Sequence, residues 1–415
     1  MAINLFRYTA LYAVLNICVK LFYILFVEVY FHNSIGFEAY GSYFSVYNLA
    51  GLLGLLGDFG LDSYVTHLLA RDETKKAAII KAALKLKVVM ILLFSAVFLL
   101  GLEVEGLSGT LGILVLLFSI AVCFHSFGRS VLGGFLDFRN DVYISVLDKL
   151  IIGVVFLINL AIPLFGNSLF ENAHYFVILQ ISTVLITVTL TFSLIRSKLK
   201  KEEPGEEKIA LFPLFKAALP FAFFILWQNI LTRMDIYFFR DGAEFEVGYY
   251  ASFFRFFILA VFLPTIVSEL ILPVFSNEKV ERNDEKKQLR QLIQLLIIFG
   301  SLFAILIFLF GGAIYGLIYP GQNSQSVSLI FSAVVVSLVA YAIILIGASY
   351  SRAIGNYNFP NYLFVTAIMM KLVAFFVFWL IQEEVNTLSC WLLNAGVYLS
   401  LAGVYIFRMY YLKKI

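Results

Sequence analysis

The stretch "WQNILTRMDIYFFRD", Trp227 to Asp241, sets Arg233 and Asp235 inside what otherwise reads as an oily helix. At 3.6 residues per turn, Gln228, Thr232 and Asp235 share one face with Asn229 and Arg233 beside them, so almost half the circumference is polar. Two residues apart, Arg233 and Asp235 point away from each other, and a mutual salt bridge is disfavoured. Each needs a partner elsewhere, and how strongly depends on the solvent around the helix.

That solvent is lipid. The 415 residues are 61% hydrophobic, 17% aromatic and only 14% charged, and mean hydropathy is +0.93, far from a soluble domain. Apolar runs of about 18 to 25 residues recur along the chain, each able to cross a hydrocarbon layer of roughly 30 Å as a helix. The first run carries Lys20 in its middle and lacks a small-residue cleavage site, so it reads as a span rather than a removable signal. The expectation is an all-α integral membrane protein with twelve transmembrane helices, at roughly 8–31, 40–67, 86–102, 110–133, 143–166, 173–195, 213–239, 247–274, 290–311, 326–350, 361–381 and 389–408.

Basic residues orient those spans. A cytoplasmic N-terminus puts 24 of the 30 lysines and arginines in inside segments, Lys75, Lys76, Lys81, Lys85 and Lys87 among them, and one, Arg240, outside; the rest lie within helices. Both termini are therefore expected in the cytoplasm. The net charge of +3 reflects this asymmetry and does not point to nucleic acid. Outside connections are short, and the longer inside ones, Arg71–Lys87, Ser197–Phe212 and Ser276–Gln291, are charged and have room for an interfacial helix but no folded module. The function is expected within the bilayer.

The halves repeat. Phe37-Glu38-Ala39-Tyr40-Gly41-Ser42-Tyr43 begins the second span, and Phe245-Glu246-Val247-Gly248-Tyr249-Tyr250 begins the eighth. Similar charged kernels follow each, Asp72 to Lys76 and Asp284 to Lys287. Six helices per half implies two lobes, 1–203 and 204–415, related by a pseudo-two-fold along the membrane normal, with "KLKKEEPGEEK" at the junction.

On several of these features the chain resembles the polysaccharide flippases of the multidrug/oligosaccharidyl-lipid/polysaccharide exporter superfamily. The features are Asp235 late in span seven, Val247-Gly248-x-Tyr250 after a short turn, Pro264 in a long span eight ending Ile271 to Ser276, and Gly41-Ser42-Tyr43 followed by Asp58-Phe59-Gly60-Leu61. The resemblance implies two six-helix lobes around a central cavity. It also implies transport of a polyprenyl-diphosphate-linked glycan from the cytoplasmic to the outer leaflet by alternating access, for cell-surface polysaccharide, in a bacterial cytoplasmic membrane. No cofactor is expected, and the expected partners are the glycan, membrane lipids and a coupling ion such as H+ or Na+.

An ionised side chain facing lipid at mid-bilayer costs roughly 2.5 to 3.5 kcal/mol on insertion scales, so intramembrane charges must face protein or water. Tyr12, Asn16 and Lys20 fall at i, i+4 and i+8 of span one; Arg233 and Arg255 lie deep in spans seven and eight; Lys371 is central in span eleven, with Ala367 and Ala374 beside it. Guanidinium and ammonium groups suit a diphosphate. Lys20, Arg233, Arg255 and Lys371, with Asn16 and Gln228, are therefore the candidate substrate-binding residues. The alternatives are that the arginines snorkel to the interface or pair with Asp235 to lock helices. Asp58, Asp62, Asp235 and Glu269 are candidates for ion coupling or, equally, ion-pair partners of the basic residues.

"GLLGLLGDFG" places glycines at 51, 54, 57 and 60, a spacing that admits a close neighbouring helix or a bend. Cys18, Cys123 and Cys390 read as small apolar fillers, and the four histidines are scattered. There is no G-x-x-x-x-G-K motif, and no metal or nucleophile constellation appears, so an enzyme is not expected. Two other functions stay open: a multidrug or small-cation exporter of the same superfamily, which would want acids in its cavity, and a membrane-embedded glycan polymerase or glycosyltransferase, which would want a long outside loop.

Overall fold

The computed structural model describes residues 15–71, 75–107, 109–162, 168–199, 210–239, 243–275, 282–320, 326–353, 356, 358–381 and 385–411. All regular structure there is helical. Helix α1 covers 15–22 and passes through a π-turn, Tyr23–Glu28, into α2, Val29–Leu53. Then follow α3 (Leu61–Arg71), α4 (Lys76–Val104), α5 (Thr110–Gly134), α6 (Phe138–Ala161), the short α7 (Ser168–Glu171), α8 (Ala173–Leu199), α9 (Leu211–Arg233), α10 (Glu244–Phe275), α11 (Arg282–Ile318), α12 (Val327–Ala353), α13 (Asn358–Leu380) and α14 (Thr387–Tyr411).

Among the described residues, ten stretches are long and apolar enough to cross a membrane. The first, Leu15–Gly57, has 43 residues, which as one straight helix would measure about 65 Å, twice the hydrocarbon thickness. Gly36 interrupts it with φ 81° and ψ 165°, a conformation that glycine tolerates and other residues avoid. The break falls in the turn expected between spans one and two.

Two boundaries in the first half differ most from the sequence reading. The second span does not run to 67: a 3-10 turn, Gly54–Gly57, ends it, and Phe59 (φ 45°) and Gly60 (φ 72°) turn the chain into the separate helix α3. The segment 71–87, expected as an inside loop, is helical from Lys76 onward. Lys81 and Lys85 are exposed on that extension, but Lys87 is wholly buried, which corrects its assignment to a solvated inside segment.

The chain divides into two compact units, Met1–Asn229 and Ile230–Ile415. Lipid tails are as apolar as leucine, so helices associate through close packing and polar contacts rather than by hiding oil. In the first unit, Leu61, Val65 and Leu69 of α3 pack with Ile79, Ala83 and Leu86 of α4 and Phe127, Val131 and Leu132 of α5. Gly134 lets α3 approach α5, since a Cβ there would stand 2.6 Å from the Leu69 Cβ. Gly57 similarly faces the Cys123 Sγ at 2.8 Å, whereas Gly54 has open space, so close approach belongs to one of these glycines and a turn to Gly60.

The second unit is packed with aromatic rings. Phe253 stacks on Tyr315 at 5.0 Å, and Phe257 lies against Tyr341, Trp391 and Tyr398. Helix α10 is continuous through Pro264. Outward faces carry Leu92, Leu100, Leu309, Phe376 and Trp379 exposed, as lipid contact requires.

Candidate functional site

Helix α9 ends at Arg233, where the backbone tightens into a 3-10 turn, Met234–Phe238. The turn carries Asp235 inward, 1% exposed. Lys371, midway along α13, is also buried; its Nζ stands 2.7 Å from Asp235 Oδ1 and donates to the Leu231 carbonyl at 2.8 Å. That carbonyl belongs to the last turn of α9, where partial negative charge favours a cation. Asp235 Oδ2 accepts from the Tyr250 hydroxyl of α10 at 2.8 Å and from Asn394 Nδ2 of α14 at 2.6 Å.

One carboxylate thus ties together the α9 turn, α10, α13 and α14. Rings seal it: Trp391 stacks on Tyr250 at 5.3 Å, the Lys371 ammonium lies 5.5 Å from the Tyr398 ring centre, and Phe238 stacks on Phe375 at 3.8 Å. Ionised groups this deep persist only when paired and hydrogen-bonded, and both conditions are met. Asp235 therefore finds its partner in Lys371. The ammonium of Lys371, a candidate for an anionic cargo, is held by a carboxylate, and both oxygens of Asp235, a candidate for ion coupling, accept hydrogen bonds.

The remaining sequence candidates are placed as follows. Asn16 is buried in the first unit and donates to Ser145 Oγ at 2.9 Å. Lys20, Gln228, Arg233 and Arg255 are half-buried and each is engaged by neighbouring groups. Asp58 and Asp62 both hold Lys87, at 2.9 and 2.8 Å. Tyr12 and the side chain of Glu269 lie outside the described residues.

The acid, tyrosine, amide and lysine of the second-unit cluster have looser counterparts in the first. Glu28 Oε2 accepts from the Tyr40 hydroxyl at 3.3 Å; Gln180 donates to the Tyr23 hydroxyl at 2.8 Å; Lys149 lies 4.9 Å from the Tyr23 ring centre but pairs with its own neighbour Asp148 at 3.0 Å. Sequence reading missed Lys87, Lys149, Tyr250 and Asn394. Tyr250 carried a signal in the repeated Gly-x-Tyr; the polar Asn394 in an apolar span carried another. Among the described residues no group of His, Cys, Asp and Glu is placed to hold a metal ion.

No family model matches the chain, and no curated protein matches it. Solved structures do. A multidrug resistance MATE family transporter of the MOP superfamily, in an inward-facing conformation, superposes with a TM-score of 0.68 at 16% identity, over 94% of this chain and 93% of that one. An outward-facing conformation of such a transporter gives 0.64 at 16% identity, over 98% and 94%. A MOP superfamily transporter from Pyrococcus furiosus, for which a reversed polarity of the binding pocket is reported to suggest a different function, gives 0.66 at 16% identity, over 99% and 95%. Those proteins are transporters, not enzymes. At this identity the likeness is one of fold, and it extends along the whole chain.

Proposed function

We propose that this protein is an alternating-access membrane transporter and not an enzyme. The observation that carries the reading is the fold match over more than nine-tenths of both chains to transporters solved inward-facing and outward-facing. Twelve crossings are part of this reading: the ten apolar stretches, one of them divided at Gly36, together with α9. So are the two lobes joined near 203, both termini in the cytoplasm, and a bacterial cytoplasmic membrane as the location.

For the cargo, the solved neighbours favour export of a small molecule, as their multidrug description suggests. The structure supports this in one respect: of the four deep cations that argued for an anion, Lys371 is already neutralised by Asp235. A lipid-linked oligosaccharide is the second reading. It is supported by the sequence resemblance around Asp235 and Val247-Gly248-x-Tyr250 and by the places of Lys20, Arg233 and Arg255 within the spans. A MOP superfamily member with reversed pocket polarity indicates that the fold accommodates more than one charge pattern.

Two assays separate the readings. Expression in a drug-sensitive bacterium should lower accumulation of a fluorescent organic cation if the cargo is a small molecule. Expression in a strain lacking its lipid-linked oligosaccharide flippase should restore surface glycan if the cargo is the diphosphate-linked lipid. Failure of both, with protein present in the membrane, would overturn the transporter reading.

A further inference from the structure

A second buried ion cluster joins the corner where α2 gives way to α3 to helix α4: Asp58 and Asp62 fall between the candidate spans Leu15–Gly57 and Lys76–Val104, and Lys87 lies within the latter. Lys87 Nζ stands 2.9 Å from Asp58 Oδ1 and 2.8 Å from Asp62 Oδ1, with the Lys87 side chain wholly buried and that of Asp62 9% exposed. Asp58 Oδ1 also accepts the Asp62 backbone N–H at 3.1 Å, across the first turn of α3. Two carboxylates share one ammonium, and the formal charge of the cluster is −1.

The oxygens are served unequally. Asp62 Oδ2 is buried, and among the described residues no donor reaches it. Leaving a buried ionised oxygen unserved is costly, by about 1–3 kcal/mol for a polar group and more for a charged one. Adding a proton cancels the surplus charge, and it removes the cost of leaving an ionised oxygen unserved.

The groups facing Asp62 come from three elements. Helix α4 supplies Lys87; α5 supplies the Cys123 thiol, 2.8 Å from where a Gly57 Cβ would stand, and the Phe127 ring, 6.0 Å from the ammonium; Asp58 comes from the corner itself. Burial and the neighbouring Asp58 disfavour a second negative charge at Asp62, and the Lys87 ammonium is shared between the two acids. At Asp58 the Lys87 ammonium and the Asp62 backbone N–H both favour the charged form. The N-terminus of α3 favours negative charge at Asp58 as well.

We propose that Asp58, Asp62 and Lys87 form a binding site for a single proton, carried on Asp62. A metal cation suits the site poorly, because the Lys87 ammonium already stands between the two acids and would repel it; a proton adds to an oxygen without needing room. Exchange with solvent runs through Asp58, whose side chain is 23% exposed. Loading changes the charge at the corner where Phe59 and Gly60 hold left-handed backbone, and so biases the joint between α2 and α3. In a transporter this is a place for a coupling proton, a clause that rests on the function proposed above; the site itself does not.

The test is an infrared titration of the carboxyl C=O band in purified protein held in lipid nanodiscs. The wild type should show a carboxyl band titrating near neutral pH, well above the ordinary aspartate value of about 4. Asp62→Asn should remove that band. Asp58→Asn, which takes away the neighbouring acid, should move its midpoint down, and Lys87→Gln, which takes away the ammonium, should move it up, each by about one pH unit or more. Because the two shifts are opposite in sign, general loosening of the fold does not mimic them. A near-neutral band that persists in Asp62→Asn, or a monodisperse wild type with no such band, would overturn the proposal. If the titration appears but neither transport assay succeeds, the proton site stands and the transporter reading falls.

Discussion

Lys371 and Asp235, 136 residues apart in sequence, meet at 2.7 Å with both side chains almost wholly sealed from solvent. The contact joins the middle of α13 to the turn that ends α9. Tyr250 and Asn394 bring α10 and α14 to the same carboxylate, so a single acid organises four elements of the second unit.

Breaking this pair from one side should cost more than removing it altogether. Asp235→Asn or Lys371→Met alone leaves a buried charge without its counter-ion, and each should destabilise by about 3–5 kcal/mol. The double variant Asp235→Asn, Lys371→Met should lose clearly less than the sum. Thermal unfolding in detergent, read as a double-mutant cycle, checks this; additive losses would contradict it.

Tyr250→Phe removes one hydrogen bond to a charged acceptor and keeps the stack on Trp391. The expected loss is about 1.5–3 kcal/mol, measured in the same way. A neutral outcome would mean that the hydroxyl contributes nothing to holding Asp235.

Gly134→Ala places a Cβ 2.6 Å from the Leu69 Cβ, against backbone-proximal atoms that have little room to give. Overpacking of this kind costs about 1–3 kcal/mol. Because α3 would be pushed from α5, proteolysis between α3 and α4 should speed up. A protease resistance equal to the wild type would show that the two helices are not packed as described.

Asp137 lies outside the membrane spans, between α5 and α6. Burial alone would raise its carboxyl, but hydrogen bonds from Lys198 and Asn140 outweigh that and hold it below the ordinary range. It accepts from the Asn140 backbone N–H at 3.4 Å as the cap of α6 and pairs with Lys198 at 2.7 Å. A carboxyl lowered in the folded state adds stability that is fully present above its unfolded value, about 3.9, and is lost as pH falls through the folded value. The gap in thermal stability between wild type and Asp137→Asn should therefore be constant at neutral pH and close on acidification. A gap that widens in acid would contradict the assignment.

How much of this was legible beforehand depended on which forces act locally. Crossing helices are readable because bilayer thickness sets the length of the apolar run, and the break at Gly36 fell in an expected turn. That Asp235 needs a partner is readable because lipid penalises a lone charge. Lys371 as that partner is not, since nothing local links positions 136 apart. Lys87 was misread for a related reason: α4 continues three turns below the apolar run, and the solvated Lys81 and Lys85 beside it hide a lysine on the opposite face. The i, i+4 spacing of Asp58 and Asp62 was the available signal for it.

The most direct test of the central claim is transport itself, with purified protein in sealed liposomes and two labelled cargoes, an organic cation and a polyprenyl-diphosphate oligosaccharide, offered in parallel. Protein-dependent movement of one of them, lost when the helices are crosslinked against each other, is the predicted result. Liposomes holding folded protein that move neither cargo faster than protein-free controls would contradict the account.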